Sequence, residues 1–135
     1  MLPPDTELAL VVRTDFTDQS AWDAIRAGIV KPVGPFGFRA SVEFVDDRES
    51  DGATAEQLVA LFSPAARSFV IIADSLAMTH PERLLLVLDL MAVPGRTFRA
   101  PPSQIQSIEN NLSLANMDFE DFAGSTDAEG VFRGF

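Results

Sequence analysis

Phe69-Val70-Ile71-Ile72-Ala73-Asp74-Ser75-Leu76-Ala77-Met78-Thr79-His80-Pro81-Glu82-Arg83-Leu84-Leu85-Leu86-Val87-Leu88-Asp89-Leu90 decides the fold class. It holds two continuous apolar runs, Phe69 to Ala73 and Leu84 to Leu90, the second interrupted only by Asp89. A short apolar run without alternation predicts a strand buried on both faces. Asp74 ends the first run, and only Ser75 to Arg83, nine residues read as a loop, then separates the two. A parallel crossover normally takes about a dozen or more, so these strands are expected to pair antiparallel.

Upstream, Leu8 to Val12 is a third such run, ending at Arg13-Thr14-Asp15. Thr17-Asp18 supplies a helix start. Trp22, Ile25 and Ile29 then fall on one face of a helix over 18–30. Pro32, Gly34, Pro35 and Gly37 predict a loop. Phe38 to Val45 alternates, with Phe38, Ala40, Val42 and Phe44 opposite Arg39, Ser41 and Glu43, a strand near the sheet edge. Thr54 to Gln57 fits a capping box, Leu58, Leu61 and Phe62 form a buried stripe, and Pro64 is expected to end that helix.

Downstream, Pro94-Gly95 predicts a type II turn. It leads into a last strand, Thr97-Phe98-Arg99, which Pro101-Pro102 breaks. Ser103 to Gln106 matches a second capping box, and Ile105, Ile108, Leu112 and Ala115 form an apolar helical face. Asn116 is placed to stop that helix or cap another, and the tail Val131 to Phe135 is apolar enough to dock. The expected order is β-α-β-α-β-β-β-α-α. That is one α/β domain over 1–135, with a mixed sheet of about five strands, two βαβ units, antiparallel hairpins and helices packed on the sheet.

Composition bounds function. The 135 residues make one domain, and 47% hydrophobic content is that of a globular chain. There is no cysteine, which excludes disulfides, thiolate metal sites and cysteine catalysis. The start, Met-Leu-Pro-Pro-Asp-Thr-Glu, lacks a signal-peptide pattern, and no apolar run is long enough to cross a bilayer. A soluble cytoplasmic protein is the expectation. A net charge of −10 argues against nucleic acid and anionic membranes and allows a basic protein partner.

Two constellations carry possible chemistry. Asp15, Asp46 and Asp74 each follow a predicted strand, and strand ends in a parallel sheet share one edge. Converging there, they would suit a hard divalent cation, whereas apart they are ordinary loop acids before helices. Between Arg99 and Arg133 the chain carries six acids (Glu109, Asp118, Glu120, Asp121, Asp127, Glu129) and no Lys or Arg. This is either a solvated face or an interaction face, with Phe119 and Phe122 as core residues or interface anchors. Asn110, Asn116, Asp118, Phe119, Glu120, Asp121 and Phe122 are the candidate binding residues. Arg13 and Arg39 lie on predicted strands and are expected to form ion pairs. The only histidine, His80, has no nucleophile or second histidine to work with, and no phosphate-loop or nucleophile-elbow motif is present. No cofactor is implied.

Leu10 to Phe16, Val42 to Asp47, Gln106 to Phe119 and Gly130 to Phe135 together resemble a family of short acidic actinobacterial proteins. The family carries only a domain-of-unknown-function label, so the resemblance implies no activity. The expectation is a non-catalytic protein-binding module, similar in charge and size to small acidic immunity proteins that neutralise basic toxins. A metal-dependent enzyme using the strand-end acids and a small-molecule sensor are the alternatives.

Overall fold

A computed structural model describes residues 4–62 and 67–135. Five strands, β1 (Ala9–Arg13), β2 (Val42–Val45), β3 (Phe69–Ala73), β4 (Leu85–Asp89) and β5 (Thr97–Ala100), form one sheet in the order β2-β1-β3-β4-β5. β1 lies parallel to both β2 and β3, while β3–β4 and β4–β5 are antiparallel. Both faces of the central strands are apolar, which is why β1 and β3 read as unbroken runs.

Helices α1 (Gln19–Val30), α3 (Ser75–Thr79), α4 (Ile105–Ser113) and α5 (Phe119–Ala123) bury their apolar sides on one face, against Val11, Ile71, Val87 and Phe98. The other face packs Leu10, Val12, Val70, Ile72 and Leu88 against Leu58 and Phe62 of α2 (Ala55–Phe62). The crossovers out of β1 and into β3 therefore lie on opposite faces. At Gly28 of α1, an added Cβ would sit 2.9 Å from Pro102 Cβ. The missing side chain is what lets α1 approach the 3-10 turn Pro102–Gln104 this closely.

Several local expectations hold. Asp18 caps α1 by accepting the Ala21 amide at 3.0 Å. Thr54 and Gln57 exchange the two bonds of a capping box at 2.9 and 3.2 Å. Gly95 has φ 97, and the Arg96 amide donates to the Val93 carbonyl at 3.0 Å, the geometry of a type II turn. Val131 and Phe132 of the tail are buried.

Others are corrected. Ser75–Thr79, read as loop, is the short helix α3, capped by the Asp74 carboxylate on the Ala77 amide at 3.2 Å. Residues 38–41 are not part of the strand: β2 starts at Val42, and Phe38 pairs back with Val33 across a tight turn. Arg39 is accordingly exposed and makes no ion pair among the described residues. The capping box at Ser103–Gln106 does not form, because Pro101–Pro102 start a 3-10 turn that runs straight into α4. Asn116 caps nothing: Ala115, at φ 55, ends α4, and Asp118 is the N-cap of α5. The Pro64 helix stop lies outside the described residues.

Candidate functional site

The cleft begins with a buried acid. Asp89, 1% exposed at the end of β4, accepts the amides of Met91 at 2.9 Å, Ala92 at 3.0 Å and Val93 at 2.9 Å. Three donors on one carboxylate hold the β4–β5 loop in a single shape. That loop presents Met91 and Val93 outward, 65% and 56% exposed. Opposite it runs the α4–α5 junction. Its bend is made by Ala115 in the left-handed region, with the Asn116 and Met117 amides returning to the Asn111 carbonyl at 3.0 and 3.2 Å.

Between these two walls lies a cavity of about 570 Å³ lined by Met91, Val93, Leu112, Met117 and Phe119, with Asp118 and Glu120 beside them. Arg96 of the loop forms an ion pair with Glu120 of α5 across it. Both side chains are more than a third exposed, so the pair adds little stability and acts as a loose tie between the walls. The Asp121 carboxylate accepts the Asp118 amide at 2.8 Å and squares off the start of α5.

The structure brings Asp118, Phe119 and Glu120 to this cavity and leaves Asn110 and Asn116 exposed outside its lining. Phe122 faces inward and is fully buried. Its ring stacks on Phe98 at 6.2 Å and meets Phe132 edge-on at 5.1 Å. Core packing thus accounts for Phe122, and for most of Phe119, whose ring lies 5.1 Å from Phe98. Glu109 is no part of a solvated face either: it is buried and accepts the Ser41 amide at 2.7 Å, tying α4 to the approach of β2.

The strand-end acids sit at the other end of the sheet, each with its own partner. Asp46 pairs with Arg13 at 3.2 Å. Asp74 holds Arg99 through two bonds, at 2.7 and 2.8 Å. Asp15 accepts the Thr17 hydroxyl at 2.6 Å and the Thr17 amide at 2.8 Å. Those two bonds, the hydroxyl first, hold its carboxyl below the usual 3.8, with smaller help from Ser75 and Arg13 against a modest burial effect. Among the described residues no group of three or more His, Asp or Glu is gathered where it can hold a metal ion.

Sequence reasoning missed the loop wall, Met91, Ala92, Val93 and Arg96. A signal was present: Met91-Ala92-Val93 is apolar where a hairpin loop is normally polar.

The fold and the cleft together define a small α/β domain with a mixed sheet and an apolar recess where β4 ends and β5 begins. Residues 8–135 match the family described as Domain of unknown function (DUF6924), and the chain belongs to that family. No curated protein matches the chain. No helix among the described residues is long and apolar enough to cross a membrane.

Proposed function

We propose that this domain is a non-catalytic protein-binding module. Its cleft between the β4–β5 loop and the α4–α5 junction receives a basic segment of a partner protein that carries one apolar anchor. The composition of the cleft carries this reading: an apolar wall of Met91, Val93, Met117 and Phe119 bordered by Asp118 and Glu120. An apolar pocket inside a polar rim is the usual anatomy of an interface anchor point. Three carboxylates line it, Asp89, Asp118 and Glu120, against one guanidinium, Arg96. The C-terminal end of α4 adds partial negative charge at the same place. The chain's charge of −10 would steer a cationic partner at longer range. Met91 and Met117 allow the wall to adapt to its guest.

A displayed library of random peptides, selected on the wild-type domain and counter-selected on Val93→Asp, tests this. The expected consensus is a large apolar residue flanked by Lys or Arg, with binding weakened by salt. Val93 is exposed, so the substitution spares the fold. Binders without basic residues, or binders that ignore Val93→Asp, overturn the reading.

The cavity volume, about 570 Å³, supports a second reading as a small-molecule sensor, since pockets for such ligands span about 300–1,000 Å³. A compound that raises Tm in the wild type but not in Val93→Asp would put that reading ahead. The metal-dependent alternative is weakened by the separate partners of Asp15, Asp46 and Asp74. Millimolar Mg²⁺ is expected to leave Tm unchanged.

A further inference from the structure

The two edges of the sheet are treated differently. Outside β5 the chain's own tail closes the edge: the Arg99 amide donates to the Gly130 carbonyl at 3.0 Å, and the Phe132 amide donates to the Arg99 carbonyl at 2.7 Å. Outside β2 there is no strand among the described residues. An open edge is a template for another chain unless something guards it.

Beside that open edge stands a knob. Phe36 and Phe38 are 82% and 58% exposed, with ring centroids 5.9 Å apart. They sit on the turn from Val33 to Phe38, closed by reciprocal backbone bonds of 2.8 and 3.0 Å and by Gly34 and Gly37 at φ 71 and 65. The ends of the turn are thus fixed before any partner arrives. Along the same edge lies a hole of about 300 Å³, lined by Asp23, Arg26, Ala27, Val30 and Phe44. The knob precedes β2, while Phe44 sits in its second half.

Charge follows the same order. Lys31 and Arg39 come before β2 and make no ion pair among the described residues. The run after it, Asp46 to Asp51, holds four acids against Arg48, with Asp46 already paired to Arg13 at 3.2 Å.

We propose that two copies of this chain associate through the β2 edges, antiparallel and about a twofold axis. That orientation turns the segment before β2 of each copy, with its knob and basic residues, toward the segment after β2 of the other, with its acids. The contact is then isologous and closed. Parallel pairing would set like ends together. Glu43, exposed at mid-strand, excludes the register that places the axis through it, because two carboxylates would face each other.

Sedimentation equilibrium from micromolar to millimolar concentration is the test. The wild type shows a concentration-dependent monomer–dimer equilibrium. Phe36→Ser with Phe38→Ser raises the dissociation constant about a hundredfold or more, and Arg39→Glu raises it about tenfold. All three positions are exposed, so the variants keep the wild-type Tm at concentrations where the wild type is monomeric. A monomer across the whole range overturns the proposal. So does a dimer indifferent to both phenylalanines, or an edge that accepts only an extended peptide added in trans.

Discussion

Asp89 is the most informative single position to perturb. Its carboxylate is buried and accepts three consecutive backbone amides, and its own amide donates to the Arg96 carbonyl at 2.8 Å. Hydrogen bonds to an ionised acceptor contribute about 1.5–3 kcal/mol each. Three bonds on one carboxylate do not add in full, since the amides at 91–93 return to water once the loop opens. Asp89→Ala is therefore set at about 3 kcal/mol and Asp89→Asn, which keeps one acceptor oxygen, at about half of that.

Unfolding entropy of about 2.1 cal/mol/K per residue, over 135 residues, gives about 0.28 kcal/mol per degree. The expected losses are then about 10 °C for the alanine variant and about 5 °C for the asparagine variant, read by far-UV circular dichroism. Because the loop is one wall of the cleft, peptide binding should fail well below the melting point, where the rest of the sheet is intact. An Asp89→Ala protein that melts within about 2 °C of wild type, or that binds normally while destabilised, refutes the reasoning.

Three other outcomes follow from local geometry. Ala115→Gly relieves a left-handed alanine, a gain of about 1–2 kcal/mol offset by about 0.4–1 for glycine's freedom in the unfolded chain, so Tm rises by about 3 °C. Glu109→Ala strands the Ser41 amide and costs about 2 kcal/mol, with faster hydrogen exchange at Ser41 but not at Ile71. Arg133 bonds hold the carboxyls of Glu82 and Asp127 below their usual 4.5 and 3.8. The sign follows from that direction. Their stabilisation of the tail is complete above those usual values and is lost as pH falls through the lower folded-state ones. Acidification from about pH 5 is expected to shift the Arg133 Nε–H resonance and not that of Arg39. The effect on global Tm is small because all three groups are exposed.

What could be read from the chain was whatever depended on neighbours in sequence. The runs at 8–12, 69–73 and 84–90 gave β1, β3 and β4 because a strand buried on both faces needs no alternation. The short link between the last two dictated antiparallel pairing even though it hides a helix. α3, with five residues, is too brief to show a period. The apparent capping box at Ser103 failed because the two prolines before it impose their own turn. The cleft was half legible. Asp118, Phe119 and Glu120 stood out by charge and aromaticity, but their counterpart, Met91 to Arg96, lies more than twenty residues away and meets them only through folding.

The position of the cleft also changes where function should be sought in this fold. β1 pairs in parallel with β2 on one side and β3 on the other, with crossovers on opposite faces. In open α/β sheets that arrangement puts the ligand crevice at the C-terminal ends of the parallel strands. Here those ends are filled by the chain's own side chains. Arg13 reaches Gln19 at 2.9 Å and Asp46 at 3.2 Å and lies 4.4 Å from the Phe16 ring centroid. Arg99 and Asp74 lock together beside them. The cavity opens at the opposite end, where β3 begins, β4 ends and β5 begins. That end is framed mainly by the antiparallel addition, β4 and β5, beside the start of β3. The recess therefore exists only because the chain turned back after β3, and the α/β core serves as its support.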